Sequence, residues 1–245
     1  MSDDTDDAGT RLARIERLVA SGERELVPAW RRATRGEPRW VVTVVIVAAV
    51  ALQLSLPHRL VLLRPVWVLP ALELALLAGL IAGNPRRVEP RTRKLRMLGL
   101  ALTSVITVAN GWAAVRLVGD LVNGGAGDAA VPLLLTGGVI WVTNVIVFAL
   151  WYWEWDRGGP MARVRGRHQY ADFLFVQMQS PELAPPDWEP AFLDYLYLSF
   201  TNATAFSPTD VMPLTRWSKM LMMLQSSVSL VTVVLVVARA VNILK

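Results

Sequence analysis

Apolar and polar residues do not alternate along this chain; they arrive in blocks. Five long apolar stretches cover residues 40–56, 60–82, 95–122, 131–155 and 220–244. Each reaches the roughly 17–25 residues a helix needs to cross about 30 Å of hydrocarbon. A sixth stretch, residues 191–206, is amphipathic and too short to cross; it stops at Ser207-Pro208-Thr209-Asp210. The pattern predicts an all-α, polytopic membrane helix bundle. It comprises five transmembrane helices plus one short pore-type helix, re-entrant or interfacial, ahead of the last span.

The connections refine this order. Residues 1–10 are acidic, and from Thr10 to Ala33 the positions Leu12, Ile15, Leu18, Val19, Leu26 and Trp30 give one apolar face against Arg11, Arg14, Arg17 and Arg24. That is the pattern of an interfacial amphipathic helix. Residues 156–190 are too long for a plain connector. They hold a second short apolar run, Phe173-Leu-Phe-Val176, and then a proline-rich turn segment from Ser180 to Pro190, with the next helix expected from Trp188 or Glu189. The chain divides into residues 1–38 (acidic tail and cytoplasmic amphipathic helix), 39–130 (three-helix membrane scaffold) and 131–245 (outer helix, long loop, pore-type helix and inner helix).

Composition agrees: 53% of the 245 residues are hydrophobic and 18% charged, with a net charge of +5. The excess of arginine flanks the spans. Arg31, Arg32, Arg35 and Arg39 precede the first; Arg86, Arg87, Arg91, Arg93, Lys94 and Arg96 follow the second; Arg157, Arg163, Arg165 and Arg167 follow the fourth. The two remaining connections hold Arg59 alone, or neither Lys nor Arg. The positive-inside rule places the N-terminus in the cytoplasm and the C-terminus outside, in a multi-pass protein of the cell inner (plasma) membrane. No apolar stretch precedes Val41, so the first span is expected to act as an uncleaved signal. This clustering speaks for the bilayer as partner and against nucleic acid. Cysteine is absent and only His58 and His168 occur, which leaves no thiolate or His-rich metal site. No cofactor is expected.

The short helix carries the candidate chemistry. Irregular backbone at membrane depth is tolerated only where it is buried in protein or lines water. Thr201, Asn202, Thr204, Ser207, Pro208, Thr209 and Asp210 are therefore the candidate pore or filter residues. Their hydroxyls and carbonyls would replace an ion's hydration shell, and Asp210 would supply negative charge. On the last span Gln225, Ser229 and Thr232, with Val236, fall at i, i+4, i+7 and i+11. That polar stripe suits a pore-lining inner helix, and equally suits helix–helix packing. Glu73 and Arg116 are charges inside spans; they should pair, face a cavity or neutralise. Arg64 sits near enough to a span end to snorkel. The nucleophile-elbow, phosphate-loop, zinc and dinucleotide motifs are absent, so an enzyme is not expected.

The run Ser199-Phe-Thr-Asn-Ala-Thr-Ala-Phe-Ser-Pro-Thr-Asp210-Val-Met-Pro213 resembles the pore loop of tetrameric potassium channels. Asp210 and Pro213 fall at that family's Asp-x-x-Pro, preceded by the Ser199-Phe200 entry and Thr204. The family's Gly-Tyr-Gly is replaced by Ser207-Pro208-Thr209. Proline cannot adopt the positive φ that glycine allows, so potassium selectivity by that mechanism does not carry over. From Asn144 onward the chain also resembles a bacterial membrane family of unknown activity. The likeness rests on the aromatic Trp151–Trp155 helix end, Pro186-Asp187-Trp188, Asp194 to Phe200, and Ser207 to Asp210.

These resemblances imply a channel-like homo-oligomer, tetrameric by likeness, with a pore not selective for potassium. The charge count has the pore-type helix entering from the cytoplasm, inverted relative to potassium channels, as in glutamate-receptor channels. The alternatives are a non-conducting membrane scaffold or interaction protein, and a small transporter using Glu73.

Overall fold

The computed structural model describes residues 37–83, 93–125, 127, 129–164, 170–205 and 210–244. The chain is mostly helical. Its long helices are α1 (Arg39–Leu54), α2 (Val68–Gly83), α3 (Arg93–Val122), α4 (Ala130–Trp155), α5 (Phe192–Ala205) and α6 (Arg216–Ile243). Three helical segments, Lys94–Val122, Ala130–Gly158 and Arg216–Ile243, are long and apolar enough to cross a membrane. α1 and α2 are apolar but have 16 residues each, about 24 Å at 1.5 Å per residue.

Helix boundaries follow the hydropathy blocks closely for α3 to α6. The second block is the exception: it is expected to be helical from residue 60, and the helix begins at Val68. Pro65 lacks an amide donor and disfavours helical backbone at Arg64, so residues 61–67 run irregularly after a short 3₁₀ turn, His58–Leu60. α5 starts at Phe192, past Pro190, rather than at Trp188 or Glu189. The expected amphipathic helix over residues 10–33 and the arginines at 86, 87, 91, 165 and 167 lie outside the described residues.

α4 is the central element. Every residue from Thr143 to Leu150 is buried, which an apolar-all-round helix achieves only when neighbours surround it. It packs most extensively on α5 and α6. Its approach to α6 is close at Gly137, where an added Cβ would stand 2.8 Å from both γ carbons of Val236.

Polar contacts sort the connections into two ends. At one end Arg59 pairs with Asp120 (3.5 Å) and donates to the Gly125 carbonyl at 2.9 Å. Arg239, near the close of α6, reaches the Gly127 carbonyl there. At the other end lie the starts of α1 and α6 and the end of α4. A two-residue antiparallel ladder pairs β1 (Phe173–Leu174) with β2 (Met212–Pro213), in the register Phe173 with Pro213 and Leu174 with Met212.

Candidate functional site

α5 occupies an unusual place for a helix of 14 residues. Its first amide, at Phe192, donates at 2.7 Å to Glu37, whose other carboxylate oxygen accepts from the Trp153 indole at 2.9 Å. Asp194 accepts from the Ala191 amide at 2.7 Å. Two carboxylates thus meet the exposed donors and the positive dipole end of the helix. Higher up, Ser199 Oγ donates to the Val145 carbonyl at 2.6 Å and the Phe200 ring stands edge-on to Trp141. The far end of α5 lies beside the middle of α6, where Ser229 Oγ donates to the Ala203 carbonyl at 2.7 Å. By Met212 the chain is back at the end where α5 began. There β2 meets β1, and the Leu214 amide donates to the Asp172 carbonyl at 2.8 Å.

An amide–hydroxyl network holds α5 between its neighbours. Gln225 Oε1 accepts from Tyr152 Oη at 2.5 Å and from Asn202 Nδ2 at 2.8 Å. Gln225 Nε2 donates to the Ser199 carbonyl (2.9 Å) and to Ser199 Oγ (2.6 Å). Both donors and both acceptor sites of this buried amide are occupied, which is the condition for a polar group to sit in a core without penalty. Ser226 Oγ donates to Asn202, and Trp141 Nε1 donates to Ser229 Oγ at 2.7 Å.

The expected site residues therefore separate. Asn202 is buried in the network, and Gln225, Ser229 and Thr232 are buried on the inner face of α6. The stripe read from the sequence as pore-lining or packing faces the protein's own core within this chain. Thr201 and Thr204 hydrogen-bond to carbonyls one turn back, Thr204 Oγ1 to Phe200 at 2.6 Å, and Thr204 is exposed. Asp210 is exposed. Ser207, Pro208 and Thr209 lie outside the described residues.

Glu73 and Arg116, two charges expected to pair, face a cavity or neutralise, do not pair with each other. Glu73 is fully buried and accepts from Gln53 Nε2 at 3.0 Å, whereas Arg116 points to the exposed face of α3.

A second centre, at the end of α4, was not read from the sequence as a site. Asp156 Oδ2 accepts from Tyr195 Oη at 2.6 Å and from Arg157 Nε at 3.1 Å; its Oδ1 accepts from the amides of Asp172 and Phe173. Asp172 in turn accepts from the Arg157 amide and from the Trp217 indole. Arg163 donates to the Trp153 and Asp156 carbonyls, lies over the rings of Trp153 and Tyr195, and sits 3.9 Å from Glu37. Arg157 adopts φ of 52°, a left-handed conformation costing a non-glycine residue about 1–2 kcal/mol; its bonds to Asp172 and Asp156 offset that cost.

Charge balance in this centre is set by burial and proximity. Burial raises the pKa of Glu37, opposed by Arg163, Trp153 and the Phe192 amide. Burial works against the charge on Arg163, but Tyr195, Asp156, Glu37 and Glu154 outweigh it and hold the guanidinium protonated. The sequence signal for this centre was present but faint: two acids, Glu154 and Asp156, set inside an aromatic helix end and followed by Gly158-Gly159-Pro160.

Among the described residues no cluster of three or more His, Asp or Glu side chains is placed to hold a metal ion. Comparison with family models, curated proteins and solved structures finds no match to this chain.

Proposed function

We propose that this chain is a channel-like integral membrane protein, with α5 as a re-entrant helix that enters and leaves the bilayer on one side. The observation that carries the reading is the placement of α5 and of residues 212–214. α5 rises beside α4 from Trp153 to Trp141, about 18 Å of helix, and the chain then returns to pair with β1 at its starting end. In this reading α1 to α4 and α6 are the five membrane segments, and the chain reverses direction between the far end of α5 and β2. Such a reversal is tolerated in a membrane when protein or water surrounds it. Arg39, Arg157 and Arg163 lie at the end where α5 enters, so the positive-inside rule puts that entry and the N-terminus in the cytoplasm, with the plasma membrane as location.

Oligomerisation, as a tetramer by resemblance, would bring several copies of the candidate filter stretch Thr204 to Asp210 together. A pathway would then be lined by that stretch and by the exposed face of α6, including Met223 and Ser227. The ion is not potassium by the usual filter. A second reading has its own support: Gln225, Ser229 and Asn202 are fully engaged within one chain. This favours a rigid, non-conducting scaffold.

One experiment separates the two. The purified protein is sized in detergent and then recorded in planar bilayers. An oligomer with cation currents that fall on Asp210→Asn supports the channel; a monomer without conductance leaves the scaffold.

A further inference from the structure

The interior holds a feature that the pore reading does not use. A cavity of about 50 Å³ lies between α1, α2, α3 and α4, beside the ionic centre. Arg39, Arg96 and Glu154 supply its charged lining, and Val42, Leu80 and Leu102 are among its apolar walls. Glu154 is 8% exposed. Among the described residues its carboxylate takes part in no hydrogen bond and no ion pair within 4 Å, although three arginines, Arg163, Arg96 and Arg39, lie within electrostatic reach. The carboxylate presses against the backbone of α3, where an added Cβ at Gly99 would stand 3.0 Å from Oε1. A buried carboxylate without donors is costly, and a ligand that brings donors into the cavity relieves that cost.

We infer that this cavity receives the head of a phospholipid whose phosphodiester meets Arg96 and Arg39 and whose terminal hydroxyl or ammonium groups donate to Glu154. Three features select that chemistry. The lining sets cationic guanidinium groups beside a carboxylate, which suits a ligand carrying both a phosphodiester and hydrogen-bond donors. The volume equals several water-sized spaces at about 10–15 Å³ each. That admits the end of a glycerol or ethanolamine head and keeps the phosphate at Arg96, which is exposed. Finally, Arg39 opens α1 and Arg96 lies in the first turn of α3, so on the membrane reading above both stand at headgroup level, with apolar walls continuing toward the acyl region.

The inference rests on the chain being a membrane protein, which retention in alkali-washed membranes tests by itself. Lipid binding is then read on the full chain by native mass spectrometry from detergent. The added probes are phosphatidylglycerol, phosphatidylethanolamine, phosphatidylcholine and inorganic phosphate. The first two lipids should be retained about fivefold or more over phosphatidylcholine, whose head has no donor, and Arg96→Gln and Glu154→Gln should each abolish that preference. Gly99→Ala, which pushes on the Glu154 carboxylate, should weaken it and serves if Glu154→Gln does not fold. Equal retention of phosphatidylcholine, or a preference unchanged in Arg96→Gln, overturns the proposal. Occupancy reproduced by inorganic phosphate alone overturns the lipid as its source.

Discussion

Asn202, three residues before the end of α5, donates to Gln225 Oε1 on α6 at 2.8 Å, at the centre of the hydrogen bonds that join the short helix to the last span. Because Gln225 also binds Tyr152 of α4 and Ser199 of α5, removing it strands partners on both helices. Gln225→Leu is expected to destabilise the fold by about 2–4 kcal/mol, since each buried polar group left unpaired costs about 1–3. Ser227→Ala, on the exposed side of α6 with its hydroxyl bonded only to the Met223 carbonyl, should stay within about 0.5 kcal/mol. Unfolding of both variants in mixed micelles, followed by tryptophan fluorescence, checks the contrast.

Two neighbouring glycines on α4 should behave oppositely. A Cβ at Gly137 meets Val236 at 2.8 Å, while one at Gly138 meets nothing within 4 Å. Gly137→Ala should force α4 and α6 apart and lower the unfolding midpoint, with Val236→Ala restoring part of the loss. Gly138→Ala should leave the midpoint unchanged or raise it through better helix propensity.

The carboxylates at the start of α5 set a pH dependence. Burial raises the pKa of both Glu37 and Asp194, so the folded state holds protons that the unfolded state releases. Stability from these groups is fully present below the ordinary carboxylate range and declines as pH rises through their raised values. Glu37→Gln should flatten that decline. Unfolding midpoints between pH 4 and pH 8, about the carboxylate titration range and above, would show it; a wild-type curve rising with pH across that window would contradict it.

Because the chain lacks cysteine, single cysteines report sidedness without background. Asn123 lies at the end where Arg59 meets Gly125, and Tyr170, 85% exposed, lies at the end where α5 enters. Asn123→Cys and Tyr170→Cys should react with an impermeant thiol reagent from opposite sides of the membrane, Tyr170→Cys from the cytoplasm. Labelling of Tyr170→Cys from outside would restore the ordinary channel orientation.

Glu73 has one carboxylate oxygen bonded to Gln53 and the other with no hydrogen-bond partner among the described residues. Glu73→Gln should therefore keep the fold, since an amide still accepts from Gln53. Full solute uptake by that variant in a transport assay would remove the transporter alternative.

Blocks of hydropathy made α3, α4 and α6 legible because a membrane-length apolar run admits few conformations other than helix; α5 was legible as the shorter amphipathic run over residues 191–206. The second block misled because apolar content continues through residues 61–67 while Pro65 interrupts the backbone, and composition outweighs one residue in such a reading. The stripe of Gln225, Ser229 and Thr232 was legible as a face but not as to what it faces. Periodicity is the same whether a partner is water, another copy or α5. The ionic centre escaped because its members come from residues 37, 154–163, 172 and 195, which no sequence spacing links. Arg157 and Arg163, read only as topology signals, are buried.

The two-residue ladder between β1 and β2 has a consequence for how this chain can vary. Asp172 anchors the finish of the excursion through α5, holding Leu214 by its carbonyl and Trp217 by its carboxylate, while Glu37 takes the amide at its start. With both ends tied at the same end of the bundle, the excursion is an insert suspended between two helices that already touch at Gly137 and Val236. Residues can be gained or lost in the connections on either side of α5 without shifting either supporting helix, because closing a somewhat longer loop adds little entropy. The frame and its contents are thus free to change at different rates.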